Sequence, residues 1–367
     1  MSSTFTVDKP LPFSATGMDS DSPYIYSRWG NPTVHQLEDK LCRLEGGEAC
    51  QCFASGMGAV AAVFLSLLDA GDHLVVSEVS YPGVAEFARN TLPRFGINVT
   101  SVDTSDSAAV AAAMRDETRL VWIETPANPI LRLTDIQEIS GIVHQHNAIV
   151  AVDSTFATPV ATRPLERGAD LVMHSLTKYL GGHGDAMGGA VVGPTEIINR
   201  LTKEAAIHHG GVLSPFNAWL ILRGIATLPL RMRGHEEGAL EMATWLESHP
   251  AVRRVLYPGL KSHPQFDLAS RQMDNFSGMI SFTVNQEGRI RTRMMKHLTT
   301  IHYAVSLGHH RSLIYWLDTD ELTVSSYGLT GDALERYRSI AGNGVFRFSC
   351  GLEDVGDLKR DLSEAID

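Results

Sequence analysis

Lys178 stands in the segment His174-Ser175-Leu176-Thr177-Lys178-Tyr179, which runs on into Gly181-Gly182-His183-Gly184-Asp185. A lysine here sits between two hydroxyl residues, just after an apolar stretch and just before a glycine cluster. A protonated amine is a poor nucleophile, but a carbonyl cofactor that captures it as a Schiff base turns it into a reactive group. Ser175 and Thr177 are neutral donors of the kind that hold a phosphate near such an amine. The combination suggests pyridoxal phosphate (PLP) attached at Lys178. Most lysines are solvated surface residues, so the reading needs partners elsewhere in the chain.

Asp153 is the first partner. It ends the apolar run Ala148-Ile149-Val150-Ala151-Val152, which reads as a buried parallel strand. A carboxylate at the end of such a strand is costly unless something pairs with it. It can cap a following helix, or it can pair with a pyridinium nitrogen, a role PLP enzymes give to an acid. In open α/β sheets ligands sit at the carboxyl ends of the strands, where Asp153 would lie. Ser55-Gly56-Met57-Gly58 opens an apolar helix. The free N–H groups at a helix start bind anions, and glycine lets a phosphate approach the backbone. The same residues also read as an ordinary cap. Tyr81 follows a strand, either packed in a turn or offering a ring to stack on a pyridine.

The elements that must position these residues alternate along the chain. Helical patterns cover Ala54 to Ala70, Tyr81 to Phe95, Ser107 to Arg115 and Thr134 to His146. Strand patterns cover Leu74 to Glu78, Ile97 to Asp103, Leu120 to Thr125, the Asp153 run, Leu171 to Leu176 and Gly189 to Val192. That alternation predicts a mainly parallel sheet covered on both faces. Near Arg233 the pattern changes. A long helical stretch from about Pro215 to Leu246 precedes strands at Val252 to Tyr257, Phe276 to Thr283 and Val345 to Ser349. Helices at Arg289 to Leu298 and Val355 to Ile366 complete a smaller α+β domain. Residues 1–45 are polar with little apolar period and read as an arm. The division is therefore an arm (1–45), a large domain (46–235) and a C-terminal domain (236–367).

A chain of 367 residues exceeds one ordinary domain, which agrees with that division. The net charge of −11 argues against nucleic acid or an anionic membrane as partner. No apolar run is long enough to span a bilayer, and the start lacks a secretion signal, so a cytoplasmic location is expected. Cys42, Cys50, Cys52 and Cys350 include no second pair at zinc spacing, and the histidines show no His-Glu-x-x-His pattern. They read as reduced thiols, and no metal is expected.

The order of the motifs resembles the Cys/Met-metabolism PLP family of cystathionine γ-synthases, cystathionine γ-lyases, methionine γ-lyases and O-acylhomoserine sulfhydrylases. The resemblance runs from about Tyr24 to the C-terminus. It includes Tyr26-Ser27-Arg28 with Gly30-Asn31-Pro32-Thr33, Ala54-Ser55-Gly56-Met57, Glu124-Thr125-Pro126-Ala127-Asn128-Pro129 and Val152-Asp153-Ser154-Thr155-Phe156. It continues through the Lys178 segment, Tyr257-Pro258-Gly259-Leu260, Ala304-Val305-Ser306-Leu307-Gly308 and Arg347-Phe348-Ser349.

The resemblance implies a fold type I, aminotransferase-like PLP domain with a smaller C-terminal domain. It implies that Lys178 carries the cofactor and shuttles protons, that Asp153 keeps the pyridine nitrogen protonated and that Tyr81 stacks on the ring. Ser55, Gly56, Met57, Ser175 and Thr177 would hold the phosphate, with Thr155 beside the cofactor. Tyr26 and Arg28 would reach a neighbouring subunit's phosphate in a homotetramer of two active dimers. Arg347 would bind the substrate carboxylate as a bidentate fork, helped by Asn128 and Ser306. The implied reaction is γ-elimination or γ-replacement on a homoserine-derived or sulfur amino acid. A β-lyase on cystathionine or cysteine, or a γ-lyase for an atypical γ-substituted amino acid, remains the alternative.

The chain departs from the family pattern in places. The family usually has Asn at Ser154, Tyr at His174 and Ser at Gly184. Its Ser-Leu-Gly-Gly-x-Glu-Ser appears here as Ser306-Leu307-Gly308-His309-His310-Arg311-Ser312. Arg311 thus replaces an acid near the distal substrate pocket and is expected to favour an anionic distal group, or else to point outward. The family's following Met-Thr-His is absent, and Thr323 to Tyr327 covers that region.

Overall fold

The computed structural model describes residues 2–10, 14 and 23–367. Apolar, β-branched runs bounded by turns build a seven-stranded sheet from β1 (Ala49–Phe53), β2 (His73–Ser77), β3 (Asn98–Val102), β4 (Thr118–Glu124), β5 (Ile149–Asp153), β6 (Leu171–Ser175) and β7 (Gly189–Gly193). The order is β1-β7-β6-β5-β4-β2-β3. The five strands from β6 to β3 run parallel, and β7 is antiparallel to both β1 and β6. The near-continuous burial of β2 and β4 to β7 is that of a sheet covered on both faces. The expected α/β class, with a mainly parallel sheet and a second smaller domain, is therefore what forms.

A second sheet of five strands holds β8 (Val252–Leu256), β9 (Met279–Val284), β10 (His302–Tyr303), β11 (Leu313–Asp318) and β12 (Gly344–Ser349), in the order β10-β11-β12-β9-β8. All its pairings are antiparallel except β10 with β11. Its core gathers Phe282, Phe346, Phe348 and Trp316 with residues of the helices Leu228–Ser248 and Val355–Ile366. The helical stretch expected from Pro215 to Leu246 is two helices, Pro215–Ile225 and Leu228–Ser248. The break falls just before Pro229, which lacks the N–H that would continue the ladder and so sits in the first turn.

The reading of residues 1–45 as an arm without a core needs a correction. Residues 32–45 form α1 (Pro32–Glu45), capped by Asn31, whose side chain accepts from Thr33 N. Val34, Leu37 and Leu41 are buried in a core cluster with Leu176, Tyr179 and Ile221. Their spacing of three and four is a helical period, hidden in the sequence by charged neighbours. Of the rest, residues 1, 11–13 and 15–22 lie outside the described residues. Thr4 bridges Tyr26 in antiparallel fashion, so the start of the chain folds back on itself.

Candidate active site

The site grows from the carboxyl ends of β4, β5 and β6. Glu124 and Asp153 stand side by side in the β4–β5 register. Both are buried, and burial raises the pKa of each; the neighbouring Asp153 charge raises Glu124 further. Asp153 Oδ1 accepts from Thr155 N at 3.0 Å and Thr155 Oγ1 at 2.5 Å, which pulls the other way and favours its charged form. Thr155 Oγ1 in turn accepts from Ser175 N at 2.9 Å, tying the ends of β5 and β6 together.

Beyond Ser175 the chain turns tightly, with Lys178 N donating to Ser175 O at 3.2 Å. This delivers the Lys178 amine to Ser306 Oγ at 2.8 Å. Burial, with the Arg347 charge as second cause, lowers the Lys178 pKa to about 8. Arg347 lies on β12 of the other sheet and is buried. It donates to Asn128 Oδ1 at 2.9 Å and to the Ser306 carbonyl at 3.3 Å. Burial lowers its pKa from the usual arginine value. Ser306 has φ +93°, a left-handed backbone that a non-glycine residue adopts only under constraint.

A glycine-lined helix start lies against the end of β6. Ser55 caps α2 (Gly56–Leu67), its hydroxyl accepting from Gly58 N at 3.0 Å. α2 is apolar almost throughout, and Ala59, Val60, Val63 and Phe64 bury it against the large sheet. That burial fixes the position of its open N-terminal N–H groups. The approach is close: a Cβ on Gly56 would meet Ser175 Oγ at 3.0 Å, and one on Gly189 would lie 2.2 Å from Ser55 O. Thr177 Oγ1 is held by Gly188, accepting from its N–H at 3.1 Å. Tyr81 precedes α3 (Pro82–Glu86), with 49% of its surface exposed.

A buried acid pair, a depressed amine, a half-exposed ring and a glycine-built helix N-terminus thus meet at the carboxyl ends of the strands. These residues fit pyridoxal phosphate: the donors suit its phosphate, the acid its ring nitrogen and the amine its aldehyde.

Glu124 has a role that its place in the Glu124-Thr125-Pro126 motif does not reveal. Its two oxygens accept from Tyr81 N at 2.6 Å and Asn128 N at 2.8 Å, so it sets the position of both. The signal was available, since Glu124 ends a buried strand just as Asp153 does. His309, in the diverged Ser306 to Ser312 segment, lies with Nε2 3.4 Å from Ser306 Oγ. His174, where the family usually has Tyr, forms a fully buried pair with Glu45 at 2.5 Å.

Tyr26 and Arg28 are not brought to the Lys178 cluster. Arg28 donates to Ile207 O at 2.7 Å and lies 5.6 Å over the Tyr26 ring, which is 42% exposed. Arg311 is exposed, with no side-chain hydrogen bond among the described residues. All four cysteines are unpaired. Among the described residues no helix is long and apolar enough to cross a membrane.

The model of the family described as Cys/Met metabolism PLP-dependent enzyme matches residues 1–367. An L-methionine γ-lyase of Treponema denticola is 42% identical, over 100% of this chain and 90% of its own. A canavanine γ-lyase of Pseudomonas canavaninivorans is 41% identical, over 97% of this chain and 88% of its own. The crystal structure of cystathionine γ-lyase from Lactobacillus plantarum complexed with L-serine superposes with a TM-score of 0.88 at 38% identity, covering 100% of this chain and 91% of that one. With this cluster at the strand ends and a match along its full length, the chain belongs to the Cys/Met metabolism PLP-dependent enzyme family.

Proposed function

We propose that this enzyme eliminates or replaces the γ-substituent of a sulfur-containing or homoserine-derived amino acid, using Lys178 as its proton carrier. The observation that carries the reading is the double role of Ser306. Its hydroxyl accepts from the Lys178 amine, and its carbonyl accepts from Arg347. A base and a carboxylate-binding fork are thereby held at a fixed separation, as an α-amino acid requires.

When bound, pyridoxal phosphate supplies an electron sink for the pair left behind as a Cα–H bond breaks. Lys178 would hold its aldehyde end, Asp153 would keep a proton on its ring nitrogen, and Tyr81 would lie over the ring. Ser55, Gly56, Met57, Ser175 and Thr177 would hold the phosphate. Thr155 orients Asp153 by two hydrogen bonds. Arg347, with Asn128, would take the substrate carboxylate. A lysine with a pKa of about 8 is well matched to accept and return protons near neutral pH. Freed from the aldehyde end by the incoming substrate amine, it would take the proton at Cα, hand that proton back, and only then take one at Cβ, after which the γ-substituent leaves with its electron pair. β-Elimination needs only the first of these transfers.

Tyr26 and Arg28 would complete a neighbouring subunit's phosphate site, which supports a homotetramer of two active dimers. Their contacts away from the Lys178 cluster favour that reading, and four unpaired thiols suit a reducing cytoplasm. The exposure of Arg311 favours the outward-pointing reading over the one in which it selects an anionic distal group.

The test is the 2-oxo acid released. We expect 2-oxobutyrate, and pyruvate as sole product would overturn γ-elimination. Turnover of O-succinylhomoserine, O-acetylhomoserine, cystathionine and methionine is then compared in the parent and in Arg311→Glu. An unchanged preference order would remove Arg311 from the pocket.

A further inference from the structure

The loop carrying Ser306 lies against the Lys178 segment too closely for a side chain at Gly308, where a Cβ would stand 2.5 Å from Tyr179 N. Gly308 N donates to Ser349 Oγ at 2.9 Å, and His310 N to Gly182 O at 3.0 Å. His309 is therefore pinned by the backbone on both sides. Its imidazole fills the space left open by Gly184. A Cβ on Gly184 would lie 2.5 Å from His309 Cε1 and 2.7 Å from Nδ1.

His309 Nε2 lies 3.4 Å from Ser306 Oγ, the atom that accepts from the Lys178 amine at 2.8 Å. Burial, then the Lys178 charge, lowers the His309 pKa, which favours the neutral ring, whose unprotonated nitrogen can accept the Ser306 hydroxyl proton. That hydroxyl then keeps a lone pair turned to the Lys178 ammonium. Ser306 is the strained residue of the loop, at φ +93°.

We propose that His309 is a positioning and specificity residue: seated on Gly184, it orients the Ser306 hydroxyl toward Lys178 and narrows the space beside the amine. The enzyme would then prefer compact γ-substituents, such as a methylthio group, over those carrying a second amino-acid head. This rests on the γ-elimination reading for its substrates but not for the seating of the ring.

The seating is tested by thermal melting of the full-length holoenzyme in a cycle of Gly184→Ser, His309→Gly and the double variant. Substitution at φ +70° strains Gly184→Ser in either background, so only the coupling is informative. We expect Gly184→Ser to lower the melting temperature markedly in the parent and much less beside His309→Gly. Equal losses would overturn the proposal. The specificity is tested by kcat/KM for cystathionine and methionine, a ratio that a merely structural role would not move. We expect His309→Gly to raise the cystathionine-to-methionine ratio by about tenfold, the scale at which pockets discriminate by size. A coupled melting cycle with an unchanged ratio would overturn the specificity role. If the parent turned over neither substrate, the γ-elimination reading would fall, while the melting cycle would still decide where the ring sits.

Discussion

Replacing Lys178 by Met should make the cofactor-free protein more stable, and the gain follows from the site's own geometry. The amine is held in a buried setting beside the Arg347 charge, with one hydroxyl partner, and its pKa falls from 10.5 to about 8. At about 1.4 kcal/mol per factor of ten in proton affinity, that is about 3 kcal/mol against the charged form. Below pH 8 the amine is protonated in both the folded and unfolded chains, so the fold bears the whole penalty. Between pH 8 and 10.5 the folded amine loses its proton first and the penalty fades; above 10.5 it is gone. Met has similar length and no charge. At pH 7 the cofactor-free Lys178→Met protein should therefore melt about 4 °C above the cofactor-free parent, taking roughly 2.1 cal/mol/K per residue for the unfolding entropy. Lys178→Arg, which keeps a charge at the position, should show no such gain. The assay is calorimetric melting across pH 7 to 11. A Met variant no more stable than the parent at pH 7, or a gap that does not shrink above pH 8, would refute the reasoning.

Two further outcomes are expected. Arg347→Lys removes the planar fork while keeping a charge. One lost charge-assisted hydrogen bond, worth about 1.5–3 kcal/mol, should lower kcat/KM for the amino-acid substrate by roughly 10- to 150-fold, and a change within twofold would exclude Arg347 as the carboxylate ligand. Gly189→Ala puts a Cβ 2.2 Å from Ser55 O and should displace the Ser55-Gly56 turn. At about 1–3 kcal/mol for overpacking, we expect cofactor affinity, titrated by absorbance into the cofactor-free protein, to fall by about tenfold or more.

Much of the large domain was legible because its signals are local. Asp153 closes an apolar run, Ser55-Gly56 opens an apolar helix, and Lys178 follows hydroxyls at the end of a strand. Each couples a one-dimensional pattern to a place in a parallel sheet, where strand ends and helix starts meet. α1 escaped because Val34, Leu37 and Leu41 stand among charged residues, so the period was thin although the burial is complete for Leu37 and Leu41. β11 escaped because Leu313–Asp318 is a short, nearly unbroken apolar run, where periodicity does not separate strand from helix.

Residue types and spacing singled out the candidates for the chemistry: an amine, an acid and an anion-binding turn, each picked out by its own neighbours. The tertiary structure alone decided how these meet the rest of the chain. Glu124 takes the backbone N–H groups of Tyr81 and Asn128, Arg347 reaches Asn128 from the other sheet, and Ser306 joins Lys178 to Arg347. His309 occupies the room of a missing Cβ at Gly184. Apart from that of Asn128 N with Glu124, these contacts link residues far apart in the chain. Hydrogen-bond geometry and steric room exist only once both sheets have packed, whereas periodicity and capping are already present in a single segment.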